Sequence, residues 1–195
     1  MTERRLRTVV ADTSALVSLA VPRADDTYDT ATEPDPLQSL LTSCDVFVPP
    51  EVVTELQDLT QYRDIHGAAA TNVLAARDFY TAEDPYECAE TPELRPTFGL
   101  DDGETDGIVL ANARDVDGFL TDEFGGTNFP LIHAVLQGPR IVPTPRLISE
   151  YARNGHLTDE AARTLLSVIS PHRSWDTSPY VAQIRERLEE NSRTP

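Results

Sequence analysis

The clearest absence from this 195-residue chain is lysine, so arginine accounts for all 16 of its lysine-or-arginine cations. Without lysine, the chain cannot form a Walker-type phosphate loop, a Schiff-base enzyme or a lysine-assisted phosphotransfer site. Cysteine is scarce too. Cys44 and Cys88 have no metal-ligand spacing and are expected to be free thiols. The four histidines are scattered and form no HExxH pattern, which argues against a zinc site.

Long apolar runs are also missing. No stretch approaches the length of a membrane span, so no membrane partner is expected. The N-terminus carries basic residues but no apolar signal core, and we therefore expect a cytoplasmic protein. With 39% hydrophobic residues, the chain is long enough for one globular domain with a core, or for one domain and an appendage.

Acidic residues outnumber basic residues by 33 to 16, which gives a formal net charge of −17. A charge of this sign ordinarily opposes nucleic-acid binding. In molar intracellular salt, however, the Debye length falls to about 3 Å and the repulsion is screened. The acidic, lysine-free composition is typical of a halophilic protein. The composition therefore indicates a high-salt habitat more than it identifies a binding partner, and it argues only weakly against RNA as that partner.

The chain alternates short apolar strands with helices that carry an apolar stripe. This order predicts an α/β fold with a mostly parallel sheet covered on both faces. Strands are predicted at 8–11, 45–49, 117–120 and 140–143, and a further edge strand is expected near Leu94. Two acidic, proline-rich inserts at 22–36 and 82–99 are predicted to be exposed loops.

Carboxylates and hydroxyls follow two of these strands. Asp12, Thr13 and Ser14 follow the first strand, and Thr121 and Asp122 follow the strand at 117–120. In an open parallel sheet, this carboxyl edge is where ligands and catalytic groups gather. The alternative is that Asp12, Thr13 or Ser14 only caps the helix that comes next.

Further carboxylates lie near the starts of helices. Glu55 lies in an apolar stripe, where it requires a cation or a proton, unless it sits at the edge of the stripe and pairs with Arg63. Asp101 and Glu104 have the spacing of a capping box, and this favours capping slightly over catalysis for Glu104. Asp106 shares a helical face with apolar residues, and a buried acid needs a partner, which favours a functional role.

On this plan, four carboxylates from separate elements converge at one edge of the sheet: Asp12, Glu55, Asp106 and Asp122. Four negative charges at close range cannot all stay ionised without cations. Hard divalent ions with oxygen ligands solve this problem, and magnesium keeps waters that can act as nucleophiles. Two ions about 4 Å apart would stabilise the attacking and leaving oxygens at a phosphodiester.

At these residues the sequence resembles the PIN-domain nucleases, through the segments VADTS (10–14), VPPEVVTEL (48–56), GETDGIVLA (103–111) and FLTD (119–122). The order and spacing fit over about residues 8–143. The resemblance implies a three-layer α/β/α fold, with a catalytic domain at 1–144 and a helical C-terminal extension at 145–195 packed on it. It also implies an endoribonuclease, a hydrolase that depends on Mg²⁺ or Mn²⁺ and is often the toxin of a toxin–antitoxin pair.

The resemblance places the family's catalytic, metal-binding acids at Asp12, Glu55, Asp106 and Asp122, with Glu104 as a fifth candidate ligand. It places supporting polar groups at Thr13, Ser14, Thr121 and Asn128. In this interpretation the three aspartates bind the ions, and the glutamate at 55 binds a second ion or orients water. The acidic inserts 22–36 and 82–99 depart from compact members of the family.

The expected partners are an RNA substrate and, if the protein is a toxin, an antitoxin protein. A last helix beginning near Ser178 is predicted to pack on the domain or to dimerise, and we expect a homodimer. The alternative function is a non-catalytic PIN-fold module that binds RNA or protein through the acidic inserts and the C-terminal helices. An aspartyl-phosphate phosphatase is disfavoured, because no second aspartate lies two residues after Asp12 and the chain has no lysine.

Overall fold

The computed structural model describes residues 6–88, 91–124 and 127–193. Its central sheet is built from five short strands: β1 (Thr8–Ala11), β2 (Asp45–Val48), β3 (Thr81–Ala82), β4 (Gly118–Leu120) and β5 (Arg140–Ile141). All of the pairings are parallel, and the strand order is β3-β2-β1-β4-β5. The chain order reverses at β1, so this strand lies at the centre of the sheet and at its topological switch point.

Helices follow the strands in chain order: α1 (Thr13–Ala24), α2 (Pro36–Ser43), α3 (Pro50–Leu59), α4 (Ile65–Ala75), α5 (Asp102–Arg114), α6 (Asn128–Val135), α7 (Thr144–Arg153), α8 (Asp159–Arg173) and α9 (Pro179–Arg193). Short 3-10 turns lie at Arg77–Phe79 and Pro85–Glu87. Side-chain oxygens cap α1, α2, α4, α5 and α8, and the capping residues are Asp12, Asp35, Asp64, Asp101 and Thr158. Proline in the first turn of α2, α3 and α7 also favours their starts.

Successive residues of the central strands face opposite sides of the sheet. Val9 and Leu120 belong to the larger apolar cluster, which includes residues of α1, α4 and α8. Val10 and Phe119 belong to a second cluster, which includes residues of α5 and α6. The sheet is therefore buried on both faces, as parallel sheets usually are. The three-layer α/β/α fold predicted from the sequence is confirmed.

The C-terminal helices share the larger apolar cluster with the sheet. Leu147 of α7, Leu165 of α8 and Ile184 of α9 are buried in the same cluster as Val9. Helix α8 also contacts α1, and α9 contacts both α7 and α8. The segment from 145 onward therefore packs against the elements that precede it.

Two local predictions were wrong. Within the described residues 91–101 no strand forms, and Leu94 is 81% exposed. The edge strand is β3 instead, whose two residues are too short to produce an alternating pattern. The insert 22–36 is not entirely an exposed loop, because α1 continues through Pro22 to Ala24, and Asp35 is buried where it pairs with Arg23 and caps α2.

Neither of the two cysteines, Cys44 and Cys88, forms a disulfide bond. No helix in the described part of the chain is both long and apolar enough to cross a membrane.

Candidate functional site

A pocket of about 510 Å³ opens beside the carboxyl end of β1. Six of its lining residues are carboxylates, and they come from five parts of the fold: Asp12, Glu55, Asp64, Asp101, Glu104 and Glu123. Thr13, Ser14, Gly103 and Arg173 also line it. We call this pocket, defined by these residues, the acid pocket. It occupies the edge of the sheet at which the sequence predicts the site.

Asp12 lies directly after β1 and is 4% exposed. Its Oδ1 accepts hydrogen bonds from the Ala15 backbone N–H at 2.9 Å and from the Ser14 hydroxyl at 2.8 Å, so Asp12, of the three residues considered from the sequence, is the one that caps α1. Burial raises the pKa of Asp12 from 3.8 to about 7, although hydrogen bonds from Thr121, Ala15 and Ser14 favour the ionised form. Asp12 is therefore a buried cap whose carboxyl also lines the acid pocket.

Glu55 reaches the acid pocket from α3. The Thr13 hydroxyl donates a hydrogen bond to its Oε2, and no ion pair with Arg63 forms among the described residues. Gly103 of α5 lies so close that a Cβ at this position would overlap the Glu55 carboxylate. Burial raises the pKa of Glu55, and the hydrogen bond from Thr13 partly opposes this effect. The carboxyl is therefore held against α5 by small and hydroxyl-bearing neighbours, without a cation.

Glu104 caps α5 and also lines the acid pocket. Its backbone N–H donates to Asp101 Oδ1 at 2.7 Å, and its Oε2 accepts from the Asp101 N–H at 3.3 Å, which confirms the predicted capping box. Asn128 of α6 donates its Nδ2 to both carboxylate oxygens, at 3.2 and 3.3 Å. Glu104 is 5% exposed, and burial raises its pKa. Capping and exposure to the pocket are thus compatible in one side chain.

Asp122 follows β4 and is 8% exposed. Its Oδ1 accepts from the Thr144 N–H at 2.7 Å, and its own N–H donates to Ser14 Oγ at 2.9 Å. Its Oδ2 is buried and accepts no hydrogen bond within the described residues. The nearby Ser18 hydroxyl donates to the Ser14 carbonyl oxygen, at 2.8 Å, and not to Asp122. Burial is the largest effect and raises the pKa of Asp122.

Asp106 is 4% exposed, as its place on an apolar helical face predicts, but it does not line the acid pocket. Arg95 holds its carboxylate in a bidentate pair, with Nε–Oδ1 at 2.8 Å and Nη2–Oδ2 at 2.6 Å. The Tyr86 hydroxyl donates to Oδ1 at 2.6 Å. Arg95 also pairs with Asp102 at 2.5 Å. The cation that this buried acid requires therefore comes from the insert 82–99.

Arg95→Ala is expected to destabilise the fold by about 2 kcal/mol, because it leaves Asp106 buried without a cation. This is less than the 3–5 kcal/mol typical of a fully buried pair, since the Arg95 side chain is 37% exposed. Adding Asp106→Asn should restore much of the loss. Urea unfolding of the two single variants and the double variant measures this coupling, with Arg114→Ala at the more exposed Glu83 pair as the control. If the changes in the free energy of unfolding of the two single variants add up to that of the double variant, the coupling of Arg95 and Asp106 is contradicted.

The structure thus brings Asp12, Glu55 and Glu104 to one pocket and places Asp106 and Asp122 outside its lining. Among residues 6–88, 91–124 and 127–193, no three histidine, cysteine, aspartate or glutamate side chains are grouped closely enough to hold a metal ion. The carboxylate and hydroxyl oxygens of the lining nevertheless fit a hard divalent cation, and the imidazole of His66 also lines the pocket. The unpartnered Asp122 Oδ2 is an oxygen of the same kind. A bound ion would have to draw these side chains closer together.

Arg173, the last residue of α8, also lines the acid pocket and was not predicted from the sequence. A basic residue in the last turn of a helix ordinarily complements the helix dipole, so its position in the sequence carries no signal of a site. The chain matches no known protein-family model, no curated protein and no solved structure. An interpretation of its function therefore rests on the chemistry of the acid pocket.

Proposed function

We propose that this protein is a metal-dependent endoribonuclease of the PIN-domain type, which uses Mg²⁺ or Mn²⁺ bound at the acid pocket. One observation carries the proposal: Asp12, Glu55 and Glu104 meet around one pocket at the carboxyl edge of a parallel sheet. Burial raises the pKa of each of the three, so each resists ionisation when no cation is present. A divalent cation would remove this penalty.

In this proposal Asp12, Glu55 and Glu104 hold the ion. When bound, such an ion stabilises the charge that develops at a phosphodiester and activates the water that attacks it. The hydroxyls of Thr13 and Ser14 orient the carboxylates of Glu55 and Asp12, because each donates one hydrogen bond to its partner. No covalent enzyme intermediate is needed, because the attacking group is a water.

The PIN-type assignment also predicts Asp106 and Asp122 as ligands. Asp122 supports this prediction through its unpartnered Oδ2 and its link to Asp12 through Ser14. For Asp106 to contribute, it would have to exchange Arg95 for a metal ion. We therefore assign the primary ion-binding role to the residues of the acid pocket. RNA as the substrate, an antitoxin protein, a homodimer and a cytoplasmic location all belong to the same proposal.

A second candidate function is a non-catalytic PIN-fold module that binds RNA or another protein. The observation that favours it is the pairing of Asp106 with Arg95 and Tyr86, which satisfies this acid without a metal. A module of this kind has no need for ionised carboxylates in the acid pocket. It would therefore bind its partner equally well with and without divalent ions.

The two functions differ in their response to divalent ions. The wild-type protein, incubated with total RNA and with single-stranded RNA oligonucleotides in concentrated KCl, is expected to cleave in Mg²⁺ or Mn²⁺ and to stop cleaving in EDTA. Gel analysis of end-labelled RNA measures this. Cleavage that persists in EDTA would contradict the metal requirement. RNA binding without cleavage under all conditions would favour the non-catalytic module.

A further inference from the structure

Arg173 brings a positive charge into a pocket that six carboxylates line. It is the last residue of α8, and the chain turns sharply immediately after it. Ser174 has φ 56° and ψ 33°, a left-handed conformation that residues other than glycine seldom adopt, and its N–H donates to the Ser170 carbonyl oxygen. The end of α8 is therefore fixed beside the pocket.

The guanidinium of Arg173 has unused hydrogen-bonding capacity. Arg23, Arg95 and Arg140 each pair with a carboxylate within 4.0 Å, whereas Arg173 makes no such ion pair within the described part of the chain. Its Nε is buried and has no hydrogen-bond acceptor. Its charge acts at longer range on Asp122, where it favours the ionised carboxylate. What distinguishes Arg173 is that its charge lies at the acid pocket without a carboxylate paired to it, and an anionic ligand in the pocket would supply that partner.

We infer that Arg173 binds a phosphate group of the RNA substrate at the acid pocket, an inference that rests on the proposed function. The planar guanidinium matches a phosphate with two parallel hydrogen bonds. A phosphodiester entering this pocket is repelled by Asp12, Glu55 and Glu104, and Arg173 offsets part of that repulsion. The two charges have separate roles: the carboxylates hold the cation, and Arg173 holds the phosphate. Arg173 is thus a substrate-binding residue.

Kinetics with Mn²⁺ over a series of KCl concentrations tests this assignment. Arg173→Ala is expected to raise KM about tenfold, with a smaller change in kcat, because it removes a charged hydrogen-bond donor. The slope of log KM against log[KCl] should fall by about 0.7, the value for one phosphate contact of a single strand. Arg173→Lys should keep the salt slope, because it keeps the charge, while losing part of the affinity.

Arg163→Ala is the matched control. Arg163 lies on the same helix and its Nε is also buried without a partner, but it lines a different pocket, with Asp25 and His172. This variant should keep the wild-type KM and salt slope. If Arg173 served only to balance the charge of Asp122, its removal would change stability and leave the salt slope unaltered. Arg173→Gln, which keeps a polar side chain, replaces the alanine variant if thermal melts show that alanine prevents folding.

The outcomes separate this inference from the proposed function. Wild-type cleavage with an unchanged KM and salt slope in Arg173→Ala would overturn the inference alone, as would an equal effect from Arg163→Ala. If the wild type binds RNA but does not cleave it, the proposed function fails. The slope of log Kd against log[KCl], compared between the wild type and Arg173→Ala, then decides the role of Arg173. If the wild type neither binds nor cleaves RNA, both fail.

Discussion

Asp12→Asn is expected to abolish metal-dependent RNA cleavage while leaving the fold intact. Asp12 is the buried carboxylate that links the acid pocket to β1, and an amide cannot supply the negative charge that a divalent ion needs. Asparagine caps helices as well as aspartate does, and its oxygen can accept the hydrogen bonds from Ala15 and Ser14. The loss in kcat should be at least about 10²-fold, as for other groups that stabilise transition-state charge.

Cleavage of end-labelled RNA in concentrated KCl with Mn²⁺ measures this loss, and circular dichroism checks the fold. Asp78→Asn is the control, because it removes one negative charge from an exposed position away from the pocket. The control should cleave at the wild-type rate. Undiminished cleavage by Asp12→Asn, with the control also active, would show that Asp12 does not take part in the reaction.

The same substitution is expected to stabilise the metal-free protein above pH 7. Burial raises the pKa of Asp12 from 3.8 to about 7, so the folded state binds its proton more tightly than the unfolded state does. This contribution to stability is fully present below about pH 4 and is lost as the pH rises through 7. At pH 8 the wild type should therefore bear a penalty of up to about 4 kcal/mol, which Asp12→Asn removes.

Urea unfolding in EDTA from pH 4 to pH 8 measures this difference. The free energy of unfolding of Asp12→Asn should exceed that of the wild type by an amount that grows with pH. Asp78→Asn again controls for the change in net charge. A stability difference between Asp12→Asn and the wild type that stays constant across this range, or that has the opposite sign at pH 8, would contradict the raised pKa of the buried Asp12.

The local features of the site could be predicted from sequence patterns. The apolar strand that stops at Asp12 predicted its place at the sheet edge, and the spacing of Asp101 and Glu104 predicted the capping box. The apolar neighbours of Asp106 along its helix predicted its burial. Each of these depends on residues within about one helical turn of one another, where periodicity and capping chemistry are informative.

The contacts between distant segments were not predictable in the same way. Arg95 reaches Asp106 from an irregular insert, in which no periodicity fixes the direction of a side chain. Arg173 reaches the pocket from the end of α8, and its approach depends on how the C-terminal helices pack against α1. Thr13, by contrast, was expected near the acids, but its donation to Glu55 depends on the close approach of α1 and α3.

The central claim is that the acid pocket binds a divalent cation, and calorimetric titration of the metal-free protein with Mn²⁺ tests it most directly. The wild type should bind Mn²⁺ at pH 7 and release protons as it does so, because Asp12 has to ionise. Buffers of different ionisation enthalpy count those protons. Asp12→Asn should lose both the binding and the proton release, and Asp78→Asn should keep both. A wild-type protein that binds no Mn²⁺, or an Asp12→Asn variant that binds it as tightly as the wild type, would contradict the claim.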